Sequence, residues 1–181
     1  MIDLVTERDY PLIYDIYCYY VRHSTATFDI EVPTFDSFLE KMRKNIQTAP
    51  CLVYKIGNEV YGYAYASPYK EKSGYDWTRE LTIYIHTEKR GMGIGHQLYD
   101  LLIKVLRQQG YETLLAAISH PNPQSERFHQ AHGFSRIATF KKIAYKFDQV
   151  QEVGWWSLDL KQDVPFSPIN HNYDSIWEQI N

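Results

Sequence analysis

The stretch Arg90-Gly91-Met92-Gly93-Ile94-Gly95 places three glycines between a run with strand periodicity and a run with helical periodicity. Upstream, Leu81-Thr82-Ile83-Tyr84-Ile85 has the period of two expected of a strand. Downstream, Leu98, Leu101, Leu102, Val105 and Leu106 recur at helical spacing, and Gly110 stands where that helix would end. Glycines at such a junction let backbone N–H groups turn toward a bound anion, and the positive end of the helix dipole adds to the attraction. The inference is a phosphate cradle.

Three loop types compete for the pattern. A mononucleotide loop needs Lys followed by Ser or Thr after its last glycine, and here Gly95 is followed by His96 and Gln97, so nothing would reach a terminal phosphate or magnesium. A dinucleotide fingerprint needs G-x-G-x-x-G, but the third glycine position holds His96; Glu112 lies at a distance compatible with the acidic ribose partner, which keeps a nicotinamide-dependent oxidoreductase open. The third type is Arg or Gln, two residues, Gly, one residue, then Gly or Ala, and Arg90, Gly93 and Gly95 fill it. A ligand-free strand-to-helix turn is the alternative that the loop alone leaves standing.

The 181 residues suit one domain with a proper core, and 44% hydrophobic with 23% charged residues is an ordinary globular balance. A net charge of −3 without a Lys/Arg run gives no footprint for nucleic acid or an anionic membrane. Cys18 and Cys51 lack metal or redox spacing and read as idle thiols in a reducing compartment. The start, Met1-Ile2-Asp3-Leu4-Val5, carries no signal-peptide pattern, and no apolar run approaches a membrane span, so a cytoplasmic location is expected. His129 and His132 stand three apart without further ligands, so no metal is expected. Most of the sixteen tyrosines, including the alternating Tyr61, Tyr63 and Tyr65, read as packing residues.

Periodicity and turn signals predict a strand at 2–6, a helix to about residue 22 and a second helix after Thr34. Strands at 51–56 and 60–67 flank the Gly57-Asn58 hairpin signal, and a turn-rich loop spans 68–76. The strand before the glycine loop, the loop's helix, a strand at 113–118, a short helix from Asn122-Pro123 to Gly133 and two closing strands follow. This is α/β in the broad (α+β) sense: about seven strands in a mixed, mostly antiparallel sheet flanked by four helices. One domain is assigned to residues 1–160. The tail 161–181, with Pro165 and Pro168, is expected to pack loosely or wrap a partner.

The glycine loop with its strand, together with Asn122, Ser125, Phe128-His129 and Gly133-Phe134, resembles the Gcn5-related N-acetyltransferase (GNAT) superfamily. Thr25-Ala26-Thr27-Phe28-Asp29, Gly62-Tyr63-Ala64, Glu80 and Tyr145-Lys146-Phe147 are similar to its phosphinothricin and methionine sulfoximine acetyltransferase branch. After Phe147 relatives usually continue with Gly and a basic or aromatic residue, whereas this chain has Asp148-Gln149-Val150-Gln151-Glu152.

The resemblance implies acetyl transfer from acetyl-CoA to an amine, and a central pair of strands that splay apart to admit the pantetheine arm. Backbone groups of Ile83, Tyr84 and Ile85 would pair with that arm. Arg90, Gly91, Met92, Gly93, Ile94, Gly95 and His96 would hold the pyrophosphate, and Asn122 and Ser125 would be further cofactor contacts. The amine would lie against Thr25, Thr27, Phe28 and the Ser73-Gly74-Tyr75 loop.

An amine is protonated at neutral pH and must lose a proton before attack, so a base is required. The resemblance assigns this to Glu80, against the plainer reading of a strand carboxylate paired with Arg79 or a lysine. It assigns His129 as a possible general acid to the leaving thiolate, against a histidine that merely packs. The branch implies a homodimer and a small amino-acid-like substrate. A different amine, or an acetyl-CoA-binding sensor without efficient transfer, is the alternative.

Overall fold

In chain order the elements are β1 (Ile2–Leu4), α1 (Tyr10–His23), α2 (Phe35–Asn45), β2 (Cys51–Ile56), β3 (Glu59–Pro68) and β4 (Thr78–Ile85). Then come α3 (Ile94–Gln109), β5 (Thr113–His120), α4 (Pro123–Ala131), β6 (Ser135–Lys146), β7 (Gln149–Asp159) and α5 (Tyr173–Ile180). The computed structural model describes residues 1–160 and 167–180, so the start of the tail, Pro165 included, lies outside the described residues. Local chemistry fixes several boundaries: Thr34 Oγ1 accepts from Ser37 N–H at 3.2 Å to open α2, and Asn122 Oδ1 accepts from Ser125 N–H at 3.1 Å to open α4.

The strands form one seven-stranded sheet in the order β1-β2-β3-β4-β5-β7-β6. Every neighbouring pair is antiparallel except β4 and β5, whose parallel connection runs through α3. Successive strand residues face opposite sides. Leu52, Ala64, Ala66 and Leu81 therefore pack with α3, while Cys51, Val53, Tyr63, Tyr65 and Tyr84 pack with α1 and α2. By the same alternation Glu80 shares the α1/α2 side of the sheet with Tyr84. Cys18 and Cys51 are both free and buried.

The tail departs from expectation. A fifth helix, α5, docks Ile176 and Trp177 into the cluster around α3. Tyr173 donates from its hydroxyl to Ile46 O at 2.6 Å, Trp77 Nε1 donates to Ser167 O at 2.8 Å, and Gln109 exchanges hydrogen bonds with the backbone of Asn170. The prolines and polar residues masked a short amphipathic segment, and its apolar side closes the core over α3 instead of packing loosely.

Candidate active site

Between β4 and β5 the ladder covers three register positions, Thr78↔Thr113, Arg79↔Leu114 and Glu80↔Leu115. Both strands run on for five residues more, and a cavity of about 320 Å³ occupies the gap between them. Leu81 through Tyr84 line one side of it and Ala116 through Ser119 the other. Glu80 is thus the last β4 residue paired to β5 before the strands part. A groove of about 500 Å³ lies elsewhere, between α1 and the ends of β3 and β4. It includes neither Glu80 nor any residue of the glycine turn, so size does not mark the site.

Glu80 is half-buried, and burial raises its pKa above the ordinary carboxylate value, with the charge of Lys41 pulling the other way. A carboxylate in that state is a stronger base than one in water. The plainer reading, an ion pair with Arg79, does not hold: Arg79 Nη2 donates to Tyr111 OH at 2.7 Å, and the guanidinium lies 4.6 Å from the Tyr111 ring centre.

Beside Glu80, on the same side of the sheet, stands a wall of tyrosines, Tyr17, Tyr65 and Tyr84, roofed by the segment that follows α1. Four hydrogen bonds, from Lys146, Tyr17 and Tyr84, hold that segment in place. Lys146, at the end of β6 and only 2% exposed, donates from Nζ to Ser24 O at 2.8 Å and to Thr27 O at 2.7 Å. Tyr17 donates its hydroxyl to Asp29, and Tyr84 OH reaches Ala26 O. Thr27 and Phe28 line the cavity, as does Asp29.

His129 enters from α4, packed edge-on against Tyr99, Phe128 and Phe134. Its Nδ1–H donates to Ser125 O at 2.8 Å, so Nε2 carries the free lone pair. Burial pushes its pKa down to about 4, partly countered by the bond to Ser125, so the ring is neutral at pH 7. A neutral ring in this tautomer accepts at Nε2. It donates there only after taking up a proton.

The glycine turn leads into α3. Gly91 and Gly93 have φ of +79° and +73°, the left-handed region that side chains disfavour, and a Cβ on Gly91 would meet nothing within 4 Å. Gly93 is the N-cap and offers no side chain to the amides of the first turn, which helix geometry leaves without intrahelical acceptors. Gly95 answers to packing: a Cβ there would lie 3.3 Å from the Phe128 ring. Ile94 is buried, Met92 is exposed, and the His96 ring stacks at 5.0 Å on His132. Arg90, exposed, reaches back over α1 and donates to Tyr20 OH at 3.1 Å. That hydroxyl in turn donates to Ile85 O at 2.8 Å and accepts from Ile85 N–H at 3.3 Å.

The last contact refines the backbone expectation. Ile83 and Tyr84 line the gap, but the amide of Ile85 is already occupied by Tyr20. His86 N–H bonds to Tyr61 O on β3, and strand groups alternate in direction, so the Ile83 amide points into the gap while that of Tyr84 points to β3. Asn122 and Ser125 line the cavity as well. Thr25 contributes at one remove, donating from its hydroxyl to the cavity residue Ser119 at 3.0 Å.

The Ser73-Gly74-Tyr75 turn lies apart from the cavity. Tyr75 is edge-on to Tyr69, which packs on Trp155, the turn belonging to the connection that leaves β3 just beyond Ser67, itself a cavity residue. Sequence reading did not single out Tyr17, Lys41, Tyr65 and Ser119, and it named Asp29 only as the end of the motif that begins at Thr25. The alternation of Tyr63 and Tyr65 was a signal for the wall, since it marks a single sheet face; Lys41 carries no local signature.

With this geometry in place, the comparisons are specific. Residues 2–155 match the Acetyltransferase (GNAT) domain family. A phosphinothricin N-acetyltransferase of Streptomyces viridochromogenes is 32% identical over 164 residues, covering 91% of this chain and 90% of its own. An L-methionine sulfoximine/L-methionine sulfone acetyltransferase of Salmonella typhimurium is 27% identical over 86% of this chain and 92% of its own. A solved Salmonella typhimurium structure holding its cofactor acetyl-CoA superposes with a TM-score of 0.86 at 26% identity, over 92% of this chain and 97% of that one.

Proposed function

This chain belongs to the Acetyltransferase (GNAT) domain family and is an acetyltransferase, and from that premise we propose that it moves the acetyl group of acetyl-CoA to the primary amine of a small amino-acid-like substrate, of the phosphinothricin or methionine sulfoximine type. The observation that carries the reading is the placement of Glu80 at the point where β4 and β5 part, inside the cavity and with a raised pKa.

In this reading the diphosphate of acetyl-CoA lies on the amides of residues 91–96. The open space around Gly91 and the uncapped first turn of α3 fit that group. The pantetheine arm enters the gap past Ile83, with Asn122 and Ser125 on the other side. Glu80 takes one proton from the substrate ammonium and passes it to solvent. The freed nitrogen lone pair attacks the thioester carbon, and the Ile83 N–H stabilises the oxyanion. The C–S bond then breaks. His129 Nε2 takes the second proton from the acetylated nitrogen and hands it to the departing thiolate, acting as an acid with a proton received in the same turnover. The products are the N-acetyl amine and coenzyme A thiol, with one proton released.

The homodimer belongs to the same proposal. The outer edge strand β6, the turn beyond it and the start of β7 expose Ile137, Phe140, Ile143, Tyr145, Phe147 and Val150, each between 47% and 61%. An apolar edge of this kind is a surface for a second copy, and light scattering in solution should return twice the chain mass of 21.4 kDa. The activity is tested by thiol release when acetyl-CoA is mixed with phosphinothricin, methionine sulfoximine, polyamines and peptides in turn. Release with the amino-acid analogues is expected. Tight acetyl-CoA binding with no release from any amine would replace the enzyme by a sensor.

A further inference from the structure

The charges around the cavity are not symmetric. Its lining carries two carboxylates, Asp29 and Glu80, and a single cation, Lys41 of α2. Asp29 is engaged by the Tyr17 hydroxyl and has the buried Lys146 ammonium nearby. Glu80 has no such local partner, and the cation whose charge bears on it is Lys41. Lys41 is solvent-exposed and, among the described residues, makes neither an ion pair nor a hydrogen bond. Its place is set by α2: Phe38 and Met42 bury the neighbouring helix positions, which turns Lys41 to the edge of the apolar face and over the cavity.

A free ammonium at this position works against the base, because it pulls the pKa of Glu80 down, and it repels a substrate that is only a cation. A zwitterion fits both ends. With its ammonium toward Glu80, its carboxylate meets Lys41; reversed, both ends would face like charge. We propose that Lys41 anchors the substrate's α-carboxylate and thereby restricts the enzyme to amino acids over simple amines. This deepens the reading of Glu80 as the base and rests on it.

The test compares kcat and KM for L-methionine sulfoximine and for its α-carboxamide, in the wild type and in Lys41→Gln, Lys41→Glu and Lys41→Arg. The wild type should prefer the acid. Lys41→Gln should leave kcat within about twofold and KM for the carboxamide unchanged or lowered, and should raise KM for the acid by about tenfold, as expected for one lost charge-assisted contact. Lys41→Glu should raise it further, and Lys41→Arg should restore most of it. Unchanged melting temperature and acetyl-CoA affinity would show that the exposed site leaves the fold intact. Equal use of acid and carboxamide by the wild type, or the same KM change for both in Lys41→Gln, overturns the anchor while leaving acetyl transfer in place. No thiol release from any amine overturns the base reading beneath it, and the anchor with it.

Discussion

The turn from Arg90 to His96 is contiguous in sequence, whereas the cavity wall gathers Tyr17, Lys41, Tyr65, Glu80, Ser119 and His129 from α1, α2, β3, β4, β5 and α4. The donor side of the site is a backbone device: two glycines with positive φ and a helix that starts without a side-chain cap. The acceptor side is made of side chains, kept in place by contacts such as the one between Lys146 and Thr27, 119 residues apart. The first can be written in seven residues. The second exists only when the sheet is complete, so under the proposed function single substitutions there should change substrate preference while coenzyme affinity stays as it is.

That contrast can be broken by experiment. The largest effect belongs to Glu80→Gln, which should lower kcat by about 10²- to 10⁴-fold, the usual worth of a positioned base, with acetyl-CoA affinity unchanged by calorimetry. In the wild type only the ionised Glu80 accepts a proton. Activity should therefore be full above its raised pKa and fall as pH drops through that value, at a higher pH than an ordinary carboxylate would give. If Glu80→Gln weakens coenzyme binding as much as turnover, the two sides are not separable.

Lys146→Met should come next. It leaves Ser24 O and Thr27 O without their buried donor, a loss of about 2 kcal/mol. The roof over the tyrosine wall should loosen, raising KM for the amine and lowering the melting temperature, with acetyl-CoA affinity intact. Gly93→Val is the mirror experiment and the smallest effect. A β-branched residue at φ +73° costs about 1–2 kcal/mol of backbone strain, so acetyl-CoA affinity should fall about tenfold with KM for the amine within twofold. A change in amine KM as large as the change in coenzyme affinity would show that the turn also shapes the acceptor cavity.

How far the sequence reached follows the same division. The period of two across Leu81–Ile85, the helical spacing after Gly95 and the cap at Asn122 located β4, α3 and α4, the elements of the proposed coenzyme side. The dinucleotide alternative fell to topology, because the turn follows the fourth strand of a mostly antiparallel sheet. Three features escaped the sequence for a shared reason. The Ser73-Gly74-Tyr75 turn packs on Tyr69, the Ile85 amide is held by Tyr20, and α5 joins the core. Each depends on what lies across space from a residue, and the sequence spells out only what lies along the chain.

Alternation and turn chemistry are properties of neighbouring residues, so the sequence by itself determined the strand, the glycine turn, the helix and the side of the sheet that Glu80 faces. How far β4 and β5 stay paired was decided by the fold alone. So was which lysine overlooks Glu80, because α2 is set on the sheet by packing of Phe38 and Met42. The lowered pKa of His129 is likewise a product of burial among Tyr99, Phe128 and Phe134, and no local pattern around residue 129 encodes it.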